Sequence, residues 1–597
     1  MTILKGTDYK SIKERLKKRA MGLWGIEDMD KIDPVIEMLL DVFAYELARV
    51  NDEIKISDGK LLERLARILV DDKWSLPSPS HALLKMLPIE NELEVHRKSQ
   101  FYYPKMEQGE VKDIFFTPIK SHKLLNAYVR CLAFSDKIVV RDEEATTEYM
   151  VNCLKDTRID DHAVWVGIKI DKELLGSQKK LPICLLLKDS ELDSHLKTVQ
   201  VQDSKGNSLE IQGAVNDEES HEQEHYFEMI NRYYQNYLYE IDIEDAKKKQ
   251  NTISAQFSEL FDPVDLEDFD EKLFWIKLIL PITFDREELE KLEVTLNVFP
   301  IVNRRYVYRQ HYIARNGRLV SLPTDIEGHD FFLNLESLQD DNGAVFTPVL
   351  DSDINDLSGT YSLYFGNADR FDQRNAKGML DRMLHTVREE GSAFSAIGYD
   401  LLNTHLNDLN SKLDVLEKKV NTSYKNIIGS LEKQYLITEP HENTTSYECE
   451  FWKTNGAAAN GISEDTSLSQ YQSVELQSHT ISLQTETVGG IIRTTTKEKI
   501  NSLRSGIITR ERIVSKEDIK AFVKAMVGGS IQSVDVRSGV AISPKKKEGL
   551  VRTTHVSIEF SSQYTMNAEN KKRMAHFIQS ELEHRSVQII PYEVEIS

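Results

Sequence analysis

The sequence is poor in cysteine, with four cysteines among 597 residues. Cys131, Cys153, Cys184 and Cys449 are separated by long, irregular intervals, and none belongs to a C-x-x-C pair. This spacing argues against a zinc knuckle, a redox motif and a disulfide framework. The N-terminal segment also has no apolar stretch before a small-residue cleavage site. We therefore expect a cytoplasmic protein with reduced thiols.

Long apolar runs and positive charge are also lacking. No uncharged apolar stretch reaches about 18 residues, so we expect no direct membrane insertion. The 97 acidic and 75 basic side chains give a net charge of -22, which repels nucleic-acid phosphates. The run Lys545–Lys547 with Arg552 is the one basic cluster, and it is more typical of a solvated hairpin loop. We expect no nucleic-acid partner, and instead partners that have basic faces.

Catalytic motifs are scarce, because the sequence contains no Walker-type phosphate loop, no G-x-G-x-x-G after a strand and no G-x-S-x-G nucleophile elbow. One H-E-x-x-H match occurs at His221–His225, with Glu240 or Glu244 as a third ligand. The acidic residues before it lack the apolar side chains that bury a zinc helix, which favours a solvated segment. We expect no enzyme activity and no cofactor or metal; a metal-dependent hydrolase around His221 and His225 is an alternative.

Residues 1–80 are predicted to form an N-terminal helical hairpin. Asp33-Pro34 is a start signal, an N-cap followed by proline at the first helical position. A stripe at steps of three and four follows, made of Ile36, Leu40, Phe43, Leu47, Val50 and Ile54. Pro77–Ser80 ends the helical region.

Residues 81–310 are predicted to form a β-rich, sandwich-like or mixed antiparallel domain, because short runs rich in Val, Ile, Phe, Tyr and Thr alternate with turn residues. These runs are Ala127–Phe134, Lys137–Arg141, His162–Ile170, Leu181–Leu187, Leu273–Leu280 and Leu292–Phe299. Residues 311–395 form a mixed region with candidate strands at Phe331–Leu335, Val345–Leu350 and Tyr361–Phe365.

Residues 396–435 are predicted to form a long helix with a heptad seam. Apolar residues recur there at alternating steps of four and three, at Leu402, Leu406, Leu409, Leu413, Leu416, Val420 and Ile427. This spacing is typical of a coiled coil with a partner helix, and equally of a long helix that packs on its own chain. The seam is our candidate interface.

The remaining residues are divided into two segments. Residues 436–510 are poor in apolar residues and predict a flexible or extended polar loop. Residues 511–597 predict a small α+β sandwich in the order helix, strand, strand, helix, strand, with helices on one face of an antiparallel sheet. Its first helix starts at Ser515, with Asp518 at the capping-box spacing. The predicted fold class is thus α+β and multidomain.

Three segments resemble the TssF family, baseplate subunits of the bacterial type VI secretion system. The segment from Asp33 to Val50 is similar to the family's opening helix, D-P-x-V-E-x-L-L followed by F-A-x-L-x-A-R. Asn297–Asn303, which reads N-V-F-P-I-V-N, is similar to the family signature N-x-x-P-V-V-N. Val488–Gly490 and the terminal α+β segment resemble TssF and, more distantly, J-type baseplate proteins of contractile phage tails. Residues 311–480 depart from the family pattern.

The resemblance implies a structural role in a contractile injection machine. TssF subunits join TssG in wedges that assemble with TssK and TssE around the spike, below the sheath. It therefore implies cytoplasmic location at an inner-membrane complex, more than one copy per wedge, and no active site. A phage tail baseplate or another contractile-tail protein is an alternative, which neighbouring capsid and terminase genes would indicate.

Overall fold

The computed structural model describes residues 13–19, 40, 43–45, 77–107, 110–154, 158–187, 190–214, 225–244, 248–262, 271–281, 284–312, 319–322, 330–348, 358–364, 434–441, 444–492, 512–527, 531–542, 550–560, 568–586 and 590–596. The chain forms two compact units. The larger unit comprises residues 77–492 and 566–574, and the smaller unit comprises residues 1–76, 493–565 and 575–597. Of the predicted helical region at 1–80, residues 13–19, 40 and 43–45 are described, and they are helical.

Between residues 77 and 492, the described segments are mainly strands joined by short turns. In chain order these strands are β1 (His81–Lys85), β2 (Glu92–Val95), β3 (Phe101–Glu107), β4 (Glu110–Pro118), β5 (His122–Leu125), β6 (Ala127–Phe134), β7 (Lys137–Arg141), β8 (Thr147–Asn152), β9 (Ala163–Ile170), β10 (Lys180–Leu187), β11 (Gln200–Asp203), β12 (Ser208–Leu209), β13 (Ile211–Gly213), β14 (Leu238–Asp242), β15 (Gln250–Thr252), β16 (Lys272–Ile279), β17 (Leu292–Leu296), β18 (Val298–Val302), β19 (Arg305–Tyr312), β20 (Leu319–Leu322), β21 (Phe331–Asp340), β22 (Thr347–Pro348), β23 (Thr360–Tyr364), β24 (Gln434–Glu439), β25 (Ser446–Thr454), β26 (Ser469–Gln470) and β27 (Ser482–Leu483).

The helices of this part of the chain are short. They are α1 (Lys172–Ser177), α2 (His225–Tyr234), α3 (Ile253–Gln256) and α4 (Arg286–Glu290), with 3-10 turns at Ser190–Thr198, Gly456–Ala459 and Ser478–Thr480. Three of the four α-helices begin with a side-chain cap, from Asp171, Thr252 and Asp285. Such caps satisfy amide groups that a helix start leaves unpaired.

The largest sheet has the strand order β12-β11-β16-β9-β6-β7-β8, with β15 also paired to β16. Its pairings are antiparallel, as the sequence predicted for this region. Every residue of β6 is buried, which explains why this strand reads as an apolar run without alternation. On one side it packs into a core of Cys131, Ala133, Ile138, Val140, Val151, Ile159, Ile253, Phe257, Phe261, Leu273 and Trp275.

A second sheet has the order β26-β3-β4-β18-β1-β27, so strands far apart in sequence lie side by side. Its core includes Ala82, Leu84, Met86, Phe101, Ile114, Phe116, Phe299 and Ile301, together with Ala459, Ile462, Leu468, Leu476, Ile481 and Leu483. The last six residues belong to the segment that the sequence predicted to be a flexible or extended polar loop. The described residues 444–492 contain β25, β26 and β27 and supply part of this core.

Threonine side chains explain how such a polar segment packs. The hydroxyl oxygens of Thr480, Thr485 and Thr487 accept hydrogen bonds from the backbone amides of Leu87, Leu83 and Ile462, at 3.0, 3.0 and 2.9 Å. These bonds satisfy buried amide groups where no continuous strand ladder is present. The segment therefore needs only a few apolar side chains to pack, and its low apolar content does not exclude it from the core.

The other sheets of the larger unit are smaller. They are β13-β14-β10-β17, β19-β25-β21, β20-β24-β23-β22 and the pair β2-β5. Of the predicted mixed region, the described parts contain the end of β19 and the strands β20 to β23, with the turns between them.

The described C-terminal segments are α5 (Lys516–Val527), β28 (Ile531–Ile542), β29 (Leu550–Phe560), α6 (Ala568–Arg585) and β30 (Tyr592–Ile596). This is the predicted order of elements. The sheet order is β28-β29-β30, but β30 pairs with β29 in parallel, so the predicted fully antiparallel sheet is wrong. A helical connection allows the chain to re-enter the sheet in the same direction, whereas a tight turn reverses it.

The start of α5 is a reciprocal capping box. Ser515 Oγ accepts a bond from the Asp518 amide at 3.2 Å, and Asp518 Oδ2 accepts one from the Ser515 amide at 2.8 Å. We expect Ser515→Ala to lower the free energy of unfolding of the smaller unit by about 1 kcal/mol. Chemical denaturation would measure this, with the exposed Lys516→Ala as control. Equal midpoints for Ser515→Ala and the wild type would contradict it.

Candidate functional site

The seven seam positions lie outside the described residues, as do His221, Glu222 and Glu224 of the H-E-x-x-H match. His225 begins α2. The two proposed third ligands are each in an ion pair: Glu240 lies 2.9 Å from Lys180 Nζ, and Glu244 lies 2.9 Å from Lys179 Nζ. Within the described ranges, no group of three His, Cys, Asp or Glu side chains is placed to hold a metal ion.

The four cysteines are free thiols, and Cys131, Cys184 and Cys449 are buried. Burial raises the pKa of the Cys131 thiol, and raises the pKa of both Cys184 and Cys449 to about 12. The thiolate is the nucleophile and the metal ligand. These three cysteines are therefore packing residues.

Asn297, the first residue of the N-V-F-P-I-V-N signature, divides one predicted strand into two. Its φ of 55° is a conformation that asparagine tolerates better than the β-branched residues around it. The turn lets the chain leave β17, which pairs with β10, and enter β18, which pairs with β1. The Asn297 side chain accepts a bond from the Leu125 amide at 3.0 Å and donates to the carbonyls of Leu125 and Ala127 at 2.7 and 3.0 Å.

Asn303, the last residue of the signature, connects the end of β18 to β4 and β25. Its Nδ2 donates to the Phe115 carbonyl at 2.9 Å and to Asn455 Oδ1 at 3.1 Å. Its Oδ1 accepts from Thr454 Oγ1 at 2.9 Å and from the Asn455 amide at 2.8 Å. Both ends of β18 are thus fixed by a buried amide side chain.

The buried Arg304 extends this junction. Its Nε donates to Thr117 Oγ1 at 2.5 Å and its Nη2 donates to the Pro118 carbonyl at 2.9 Å. The guanidinium carbon lies 4.0 Å from the ring centroid of Trp452 and 4.9 Å from that of Phe227. Arginine stacked on aromatic rings is stable in such a partly dehydrated site. The signature region is therefore a packing junction between sheets.

Val488–Gly490 form a second packing motif. Gly489 has a φ of +84°, and a Cβ added to it would lie 2.5 Å from Nε2 of the buried His81. The Val488 and His81 backbones exchange hydrogen bonds of 2.8 and 3.0 Å, which hold the two segments together. A glycine is required here because only a residue without a side chain allows this approach.

A polar cavity of about 330 Å³ is lined by Tyr128, Arg130, Asp142, Glu143, Glu144, Glu148, Lys169 and His479. Arg130 pairs with Glu148 at 2.6 Å and Glu271 at 3.5 Å, and Lys169 pairs with Glu271 at 2.8 Å. Of the four carboxylates that line the cavity, Glu148 is thus paired with an arginine, and Glu143 lies 3.5 Å from His479 Nε2.

One exposed surface contains alternating tyrosine and glutamate side chains, and we call it the Tyr–Glu face. It consists of Tyr306, Tyr308 and Tyr312 of β19 with Glu448 and Glu450 of β25. Tyr308 is directly opposite Glu450 in the antiparallel register, so both lie on the same side of the sheet. Tyr308 is 52% exposed and Tyr312 is 73% exposed. Tyrosine is enriched at protein interfaces, because its ring combines apolar area with a polar end.

The Tyr–Glu face was not among the predictions from the sequence. The period-two alternation in Arg305–Tyr312 and in Ser446–Thr454 is a strand signal that was available. Pairing of the two strands could not be read from it, because more than a hundred residues separate them.

Within the part of the chain that the structure describes, every helix is too short or too polar to cross a bilayer. No family model matches the sequence. No curated protein matches it either.

Two solved structures are similar to this chain over most of its length. One is the type VI secretion system TssK-TssF-TssG baseplate subcomplex, with 10% identity, a TM-score of 0.43, and coverage of 94% of this chain and 96% of that chain. The other is the baseplate complex from the type VI secretion system, with 10% identity, a TM-score of 0.37, and coverage of 98% and 96%.

Proposed function

We propose that this chain is a structural baseplate subunit of a type VI secretion system, of the TssF type. The observation that supports this most directly is the N-V-F-P-I-V-N signature. Its two asparagines fix the ends of β18, and Arg304 next to it is buried between aromatic rings. These residues act in packing. The resemblance that they support is therefore a resemblance in architecture.

The chemistry of the described residues is consistent with this role. At the polar cavity Glu148 is paired with Arg130, and Glu271 with Lys169, and three of the four cysteines are buried thiols. The subunit would act through surfaces that bind its neighbours, and such interfaces rearrange when a contractile machine fires.

The proposed partners follow from the resemblance. The chain would form a wedge with TssG, in more than one copy, and wedges would join TssK, TssE, the spike and the sheath. With these partners it would lie in the cytoplasm, docked on an inner-membrane complex. Its acidic surface, at a net charge of -22, suits partners with basic faces.

The test is co-expression of the full chain with the TssG-type and TssK-type subunits of the same source. We expect a stable complex in size-exclusion chromatography, and loss of sheath assembly when the gene is deleted. Isolation of the chain as a monomer in the presence of these subunits, together with secretion that survives the deletion, would refute the proposed function.

The heptad seam gives a separate prediction. Leu409→Asp would place an unpaired charge near the centre of the seam, and we expect the complex with the partner subunits to be lost while the chain stays folded. Asn410→Asp adds the same charge beside the seam and serves as control. Loss of folding in Leu409→Asp would show that the seam packs within the chain. An unchanged complex would refute the proposal that the seam binds a partner subunit.

A further inference from the structure

The outer edge of β19 offers backbone groups to a further strand. β19 is the last strand of the sheet β19-β25-β21. The Tyr306 amide donates to the Gln100 side chain at 3.1 Å, so it points away from β25. Since backbone direction alternates along a strand, the amides of Tyr308, Gln310 and Tyr312 point the same way. No strand among the described segments pairs with this edge.

The chain itself shows how the first part of this edge is occupied. Gln100 binds the Tyr306 amide, and Lys98, two residues earlier, extends over the Tyr306 ring. The Lys98 ammonium lies 4.7 Å from the ring centroid and 3.0 Å from Glu450 Oε2. One short segment therefore provides a side-chain acceptor for an outward amide of β19 and a cation held between a tyrosine and a glutamate.

The next positions along β19 repeat this arrangement without a cation. Tyr308 lies beside Glu448, and desolvation followed by the hydrogen bond to Glu448 raises the pKa of the Tyr308 phenol. Within the described residues, no lysine or arginine forms an ion pair with Glu448. Tyr308 and Tyr312 are the exposed members of the Tyr–Glu face, so this second site is open to a partner.

We propose that an extended segment of a partner protein, with arginine or lysine at alternate positions, adds to the outer edge of β19 and places its cations on the Tyr–Glu face. Its backbone would pair with Tyr308, Gln310 and Tyr312, as in other cases of strand addition. One cation would lie over Tyr308 and reach Glu448, as Lys98 reaches Glu450. This inference rests on the proposed function only for the existence of a protein partner.

The test uses the full-length chain and a short synthetic peptide in which arginine alternates with threonine. A peptide with glutamate in place of arginine is the control ligand. Calorimetry at physiological ionic strength measures affinity, and hydrogen exchange measures protection of the amides of residues 308, 310 and 312. We expect the arginine peptide alone to bind and to slow exchange at these three amides.

Two variants separate backbone pairing from cation binding. Gln310→Pro removes an outward amide and leaves the ladder with β25 intact. Tyr308→Ala combined with Glu448→Gln removes the cation site. We expect each to weaken peptide binding by about tenfold or more. Tyr149→Ala combined with Glu287→Gln makes the same chemical change elsewhere and should bind as the wild type does, and thermal melting confirms that all variants are folded.

Three results would overturn the inference. The first is equal binding of the arginine and glutamate peptides, and the second is unchanged peptide affinity both in Gln310→Pro and in Tyr308→Ala with Glu448→Gln. The third is amide protection of β19 that depends on chain concentration, since this would mean that a second copy covers the edge. Failure of the proposed function can be distinguished from failure of this inference. It would appear as absence of the complex with the TssG-type subunit, whether or not the peptide binds.

Discussion

Asn303→Ala is expected to lower the free energy of unfolding of the larger unit by about 3–5 kcal/mol. Asn303 is fully buried and its side chain makes four hydrogen bonds. The substitution would leave the Phe115 carbonyl and the Asn455 amide without this partner, and each unsatisfied buried group costs about 1–3 kcal/mol. Because Asn303 connects three strands, loosening it also disturbs their packing. Urea unfolding followed by tryptophan fluorescence would measure the change.

Two further variants make this test specific. Asn152→Ala changes an exposed asparagine of β8 and should alter stability by less than about 0.5 kcal/mol. Asn303→Asp keeps the shape of the side chain but loses both donated bonds and buries a charge, so it should not restore stability. A stability of Asn303→Ala within about 1 kcal/mol of the wild type would show that the junction does not depend on this side chain.

Acidification from pH 7.5 to 5 is expected to remove about 4 kcal/mol of stability through the buried His81 and the partly buried His122. His81 donates or accepts a 2.9 Å bond with the Tyr234 hydroxyl, and burial lowers its pKa to about 3. His122 stacks on Phe299 at 4.5 Å, and burial, with a smaller effect of Lys120, lowers its pKa to about 3. Both imidazoles are therefore neutral in the folded chain across this range.

The sign follows from the protons bound in each state. Below pH 6.5 the unfolded chain protonates both histidines and the folded chain does not, so stability falls as pH falls from 6.5 towards 3. Each histidine contributes about 2 kcal/mol at pH 5, since one pKa unit corresponds to about 1.36 kcal/mol. Unfolding measured at several pH values should show a shallower pH dependence in His122→Gln than in the wild type. An identical slope in both proteins would contradict the prediction.

The strands of the largest sheet were predictable because burial on both faces requires an unbroken apolar run. Ala127–Phe134 and Lys137–Arg141 have the predicted bounds. The predicted strand Leu292–Phe299 is instead two strands, because Asn297 turns the chain from one sheet into another. A period-two pattern does not show such a turn, since the residues on both sides remain apolar.

Core residues within the predicted polar segment 436–510 could not be predicted for a different physical reason. Its backbone amides are satisfied by threonine hydroxyls, so it packs without the apolar density that predicts a core segment. The Tyr–Glu face was missed because it depends on pairing between β19 and β25. The candidate heptad seam lies outside the described residues and stays a prediction.

The placement of β27 beside β1 also governs the order in which this chain can fold during synthesis. The Leu83 amide and its partner Thr485 are 402 residues apart in sequence. At about 5–20 residues per second, the ribosome needs roughly 20–80 seconds between them. Throughout that interval β1 has exposed apolar residues and lacks its neighbour on one side. We expect the nascent chain to depend on chaperones until residue 490 has emerged.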